Sequence, residues 1–211
     1  MRSKPTSAEP SLTNVAIVTY AVAVLGGVDR PVHLEEVAVK AYELAPGAFR
    51  WDLDEFASRI DKDKVRVSLT DAEKDVKGAL VRGVGQTRGG RTKRTDLWRL
   101  TAAGSAWVVE NRGVIEEATG VGMPSLKRGK AQDLRRRVAD SDLFRRFEED
   151  GQLEYSPYEF ADLLECSPDA SNAVFRDRFE ALRGQIMLLG DTQLLEFLDA
   201  CAVAHTKLVE V

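Results

Sequence analysis

Residues 85–92, GQTRGGRT, set glycines and arginines one substitution away from the G-x-x-x-x-G-K-[ST] loop that cradles nucleotide phosphates, with Arg91 in the lysine position. Such a loop works only if a helix follows at once, because the helix N-terminus and its free N–H groups hold the phosphates. After Thr92 the chain reads KRTDLWRLT, which has strand composition and places Trp98 and Leu100 on one face. No acidic residue ends a later apolar strand to bind magnesium, so a nucleotide cradle is not expected. The same residues suit the tip of a β-hairpin. There the glycines permit positive φ, and Arg88, Arg91, Lys93 and Arg94 project into solvent. These cations crowd together with no acid among them and repel one another. The chemistry they suggest is polyanion binding, with a protein surface or plain solvation as the alternatives.

Other reactive residue types are sparse. Cys166 and Cys201 lack a CxxC neighbour, and His33 and His205 are isolated, so neither a disulfide framework nor a zinc site is expected. The two cysteines read as small buried apolar residues. No Ser/His/Asp arrangement, nucleophile elbow or glycine-framed acid pair occurs, and Glu148, Glu149 and Asp150 read as a solvated helix end. The expectation is a non-enzyme with no catalytic residue, no metal and no cofactor.

Charge is distributed unevenly. The net charge of the 211 residues is −4, with 44% hydrophobic and 30% charged residues, an ordinary globular balance. Yet residues 82–99 hold six basic residues against Asp96 alone, and residues 127–137 hold six more against Asp133. From Glu148 onward fourteen acidic residues face four basic ones. This acidic sum argues against an indiscriminate coat for nucleic acid, but local basic surfaces are compatible with it. No apolar run reaches the ~18–20 residues of a membrane span, and no signal peptide is read, so a cytoplasmic location is expected.

The elements that must position these residues follow from periodicity. Residues 1–11 read as a disordered leader. A buried helix is expected from Thr13 to Leu25, stopped by Gly26 and Gly27, then a short extended piece at RPVH. Leu34, Val37, Ala38, Ala41, Leu44 and Ala45 make the apolar stripe of a second helix ending at Pro46, and FRWDLDEFASRI supplies a short amphipathic turn or helix. In KVRVSLTDAEKDVKG, Val65, Leu69, Ala72 and Val76 fit a helix over a longer span than Val65, Val67 and Leu69 fit a strand, which favours a third helix from Lys64 to Lys77. ALVRGV and TDLWRLT form the hairpin, and Thr101 caps a helix running to about Asn111. Residues 113–130 read as a linker. The remainder, 131–211, reads as helices only, with a capping box at Ser156, Pro157 and Glu159 and a last helix aligning Leu194, Leu198, Cys201 and His205.

The order helix, extended piece, helix, helix, strand, basic hairpin, strand, helix, together with the WRLTAAG turn from Trp98 to Gly104, resembles the winged helix-turn-helix family over residues 12–112. The expected fold class is thus mainly α with a small β-hairpin, followed by an all-α helical module. The resemblance implies double-stranded DNA binding, with the third helix in the major groove and the wing on the backbone. Carried onto this chain, it assigns Arg66, Thr70 and Lys77 to the helix and Arg88, Arg91, Lys93 and Arg94 to the wing. Arg66 is suited to a bidentate contact with guanine; the wing cations are suited to phosphates. The segment 47–63 is longer than a minimal helix-turn-helix uses. The acidic helical module at 131–211 suggests a homodimerisation or effector role, and the whole suggests a transcriptional regulator. Two alternatives stand beside it: a non-enzymatic adaptor that uses the winged helix for protein binding, and a DNA-targeting subunit of a larger complex.

Overall fold

The computed structural model describes residues 12–88, 91–123 and 128–209, and side chains at all of these but 86–95 and 128. The chain is mainly helical, with one small antiparallel sheet and a helical second half. Helix α1 (Asn14–Val24) is buried along nearly its whole length and begins where Thr13 Oγ1 accepts from the Ala16 N–H. Strand β1 (Val32–His33) leads directly into α2 (Leu34–Leu44), whose stripe of Leu34, Val37, Ala38, Ala41 and Leu44 is buried. A capping box forms here, a position the sequence did not suggest: His33 Nδ1 accepts from the Glu35 N–H, and Glu36 Oε1 accepts from the His33 N–H. After a short 3-10 turn (Asp54–Phe56), α3 covers Lys62–Ala72, capped by Asp61.

Helix α3 stops short of the expected Lys77. The Ala72 carbonyl, which Val76 would need in order to continue the helix, instead accepts the Leu80 N–H at 2.8 Å. Gly78 at φ +93° and Ala79 at φ +48° then turn the chain into the sheet. Val65, Leu69 and Ala72 are buried as their spacing implies, but Val76 is 86% exposed rather than turned inward. It lies on a separate 3-10 turn, Asp75–Lys77.

Strands β2 (Val81–Arg88) and β3 (Arg91–Leu100) pair antiparallel, and β1 adds to the other edge of β3, with Val32 opposite Trp98. Val84 pairs with Leu97 and Gly85 with Arg94, so Thr95 and Asp96 bulge out of register. Trp98 and Leu100 are buried, which fixes the strand's inner face.

Helix α4 (Ala102–Thr119) starts from Thr101, whose hydroxyl accepts the Gly104 N–H at 2.9 Å and lies 2.7 Å from the Ala79 carbonyl. It runs past Asn111 and through Gly113, so the first part of the expected linker is helix; Gly120 ends it at φ +69°. The reason is burial: Val108 and Ile115 sit on one face at helical spacing, both in the first core. At its far end Glu116 Oε1 accepts from Met123 N–H (2.8 Å) and Arg112 Nε (2.7 Å), and lies 3.2 Å from the Tyr20 hydroxyl of α1. Burial, reinforced by this carboxylate, pushes the Tyr20 phenol up to about 12.

The second half comprises α5 (Arg128–Ala139), α6 (Asp142–Asp150), α7 (Pro157–Leu163), α8 (Asn172–Leu189), α9 (Thr192–Ala204) and the short α10 (Thr206–Val209). Phe160, Phe175, Phe179, Ile186, Phe197 and Leu198 belong to its core, which is distinct from that of residues 12–123. The expected capping box at Ser156 is absent. Its side chain makes no cap bond, and Glu159 is drawn away to Arg146. Pro157 does occupy the first turn. The Ser156 N–H is instead donated to His205 Nε2 (3.0 Å), while His205 Nδ1 lies 3.1 Å from the Cys201 carbonyl, the arrangement of a neutral ring with its proton on Nδ1. His205 is fully buried and stacks on Phe160. The halves meet where α4 crosses α8: a Cβ on Gly184 would stand 2.9 Å from Ser105 Oγ and 2.9 Å from Val28 Cγ2.

Candidate nucleic-acid interface

Arg66 and Thr70 lie on the part of α3 not buried against α1 and α2, both half-buried. Arg66 is engaged: its guanidinium reaches Asp63 at 3.1 Å and Asp96 at 3.4 Å. Asp96 is one of the two residues the bulge displaces from the ladder, so the strand irregularity and the helix are joined by this pair. Exposed pairs of this kind contribute little stability, roughly 0–1 kcal/mol, and are readily exchanged for another anion. Lys77 does not share the face of α3; it sits, exposed, on the following turn. Glu73 at the helix end accepts the Gly83 N–H of β2 at 2.8 Å, a second tie between α3 and the hairpin.

Arg88, Arg91, Lys93 and Arg94 belong to the outer part of the hairpin. Their backbone register puts Arg88 opposite Arg91 and Lys93 opposite Gln86; their side chains are outside the described residues. Like charges directly opposite in a ladder are destabilising.

At the hairpin root the chain builds a cleft that sequence reading missed. About 860 Å³ in volume, it lies between β2–β3 and α8, with α5 beside it. The first basic run of the sequence contributes Arg82 and Arg99, and the second contributes Arg137. Arg176 and Arg178 come from within the acidic half. Arg82 crosses the cleft to Asp177 at 2.9 Å, with Glu180 at 3.8 Å, and Arg137 pairs with Glu165 at 2.7 Å. The signal that pointed here was the pair of basic runs. Nothing in the linear order indicated that α8 would fold its arginines against them.

The remaining candidates are quiet. Burial pushes the Cys201 thiol up to about 12 and raises Cys166 as well; both cysteines are free. Burial also lowers His205, against the opposing effect of its two backbone contacts. Among the described residues no group of three or more His, Cys, Asp or Glu side chains is arranged to hold a metal ion, and no helix is long and apolar enough to cross a membrane.

The fold and these surfaces define a mainly helical α+β protein in which a hairpin, a helix and a bundle converge on arginine-bearing surfaces. Comparison with family models, with curated proteins and with solved structures gave no match.

Proposed function

We propose that the chain binds double-stranded DNA as a winged helix, with the outer hairpin on the phosphate backbone and α3 against the major groove. The observation that carries this reading is the hairpin register. Arg88 opposite Arg91, with Lys93 and Arg94 beside them, is costly in isolation and is relieved by a polyanion. Support comes from the element order α1-β1-α2-α3-β2-β3-α4 and from the Arg66–Asp96 pair, which keeps α3 beside the hairpin. Phosphate oxygens compete with Asp63 and Asp96 for Arg66, so the helix face becomes available on binding. The helical half acts as the dimerisation or effector module of a cytoplasmic transcriptional regulator, or as the body of a DNA-targeting subunit.

The test is fluorescence anisotropy with a labelled mixed-sequence duplex at several salt concentrations. Wild type is compared with a variant in which Arg88, Arg91, Lys93 and Arg94 are all alanine. The wild type binds and weakens with salt. The variant binds less tightly, with a log–log salt slope shallower by roughly 3–4, about 0.9 for each phosphate it no longer neutralises. Failure of the wild type to bind at low salt would overturn the reading.

A second reading, a protein-binding adaptor, is favoured by one feature. Trp51 and Leu53 are 42% and 59% exposed on the loop before α3, and the Arg59 guanidinium lies 4.6 Å from the Phe56 ring centroid beside them. Aromatic and arginine side chains together are the composition of interface anchors. Duplex binding that survives alanine at Trp51 and Leu53 assigns the function to DNA rather than to this loop.

A further inference from the structure

The cleft at the hairpin root holds more positive charge than its neighbours neutralise. Among the described residues five arginines line it, against the lining carboxylates of Asp29, Glu165 and Asp177 and that of Glu180 beside Arg82. Arg82 and Arg137 have ion-pair partners; Arg99, Arg176 and Arg178 make no ion pair among the described residues. Arg137 Nε is buried without a hydrogen-bond partner, although the same guanidinium reaches Glu165. Guanidinium groups gathered in one partly enclosed space repel one another unless an anion intervenes. Arg82 and Val84 of β2 and Arg99 of β3 make the sheet side of the cleft, on the face opposite buried Trp98.

We propose that this cleft is a binding site for a small polyanion, a ligand carrying two or more linked phosphoryl groups. Arginine forks match phosphate oxygens in pairs, and several forks on one ligand favour multiple phosphates over a single carboxylate. The volume falls inside the roughly 300–1,000 Å³ of small-molecule sites and is enclosed on the hairpin and α8 sides, which suits a compact ligand rather than a duplex. Among the described residues no aromatic side chain lines it, so recognition rests on the phosphates and not on stacking against a base. Because Arg82 ties the hairpin to Asp177 and Glu180 of α8, a ligand phosphate competes for that tie. The site does not depend on DNA binding by the outer hairpin.

The experiment is isothermal titration calorimetry of the full chain with inorganic tripolyphosphate, at constant ionic strength, with sodium sulfate as the matched control. Four proteins are compared: wild type, Arg176→Ala/Arg178→Ala, the single Arg178→Gln, and the hairpin variant with alanine at 88, 91, 93 and 94. Circular dichroism checks that each is folded. The expected result is saturable binding of one tripolyphosphate per chain. It weakens about tenfold or more in the double variant, less in the single one, and is unchanged in the hairpin variant. Three outcomes overturn the proposal: no saturable binding by wild type, equal affinity for sulfate, or loss of affinity in the hairpin variant with the cleft variants unaffected.

Discussion

Substituting Gly104 by alanine tests why the Trp98–Gly104 turn has its sequence. A Cβ at Gly104 would stand 1.9 Å from the Leu80 carbonyl oxygen, 2.9 Å from its carbon and 2.9 Å from Leu100 Cδ1. The nearest obstacle is backbone, so no rotamer change relieves it. That carbonyl also accepts the Thr101 N–H at 3.2 Å and lies 3.1 Å from Thr101 Oγ1, so moving α4 away strains the contacts that start the helix. Overpacking of this kind costs about 1–3 kcal/mol, and each weakened hydrogen bond about 1. The better helix propensity of alanine returns about 1 kcal/mol. The net expectation is a loss of about 2–3 kcal/mol, or roughly 5–10 °C in Tm for a chain of this size. Gly113→Ala is the internal control. It lies exposed in the interior of the same helix with no atom within 4 Å of an added Cβ, and should gain up to about 1 kcal/mol. Urea denaturation followed by circular dichroism measures both. A Gly104→Ala protein as stable as wild type would refute the packing argument, and a markedly destabilised Gly113→Ala would refute the helical assignment at 113.

The buried neutral His205 makes stability pH-dependent. Its folded pKa is lowered by burial, so the unfolded chain takes up a proton first as pH falls through ~6.5, and the folded state loses ground as pH falls below that. In His205→Phe that slope flattens, which denaturation at stepped pH reads directly. At the alkaline end Tyr20 gives the opposite sign. Its phenol is held protonated to about 12, so stability is intact below ~10 and declines above it, and ultraviolet titration should show one late tyrosine that Tyr20→Phe removes. Glu116 sits below the usual carboxylate range, chiefly through the Met123 N–H and then Arg112. Its contribution is present above ~4.3 and lost as pH falls below that, and Glu116→Gln removes this acid-side slope. Gly184→Val wedges α8 off α4 at Ser105 and Val28, and hydrogen exchange should rise in both helices.

Periodicity makes much of the architecture legible. The stripe of α2 and the hairpin face carrying Trp98 and Leu100 follow from side-chain spacing alone, and β1 falls within the extended piece read at RPVH. The differences fall where a distant group decides. Val76 leaves α3 because Leu80 takes the Ala72 carbonyl. Ser156 forms no capping box because Arg146 claims Glu159 and His205 takes the backbone N–H. Residues 113–119 resemble a linker because Gly113 is a poor helix former, a cost of about 1 kcal/mol that burial of Ile115 outweighs. Spacing alone puts Arg66 and Thr70 on α3. The partners of Arg66, and the convergence of Arg82, Arg99, Arg137, Arg176 and Arg178, come only from tertiary structure.

Helix α4 also sets where the chain can be divided. A cut after residue 112, at the edge suggested by composition, would pass through the middle of a continuous helix. It would strip Ile115 from the first core and take Glu116 and the Val121 carbonyl from the Tyr20 hydroxyl. An N-terminal fragment that preserves its own interior therefore has to extend through Met123, whose backbone N–H is held by Glu116. Even then it would carry a bare flank at Ser105 where α8 had been, a surface on which two such fragments could adhere to each other.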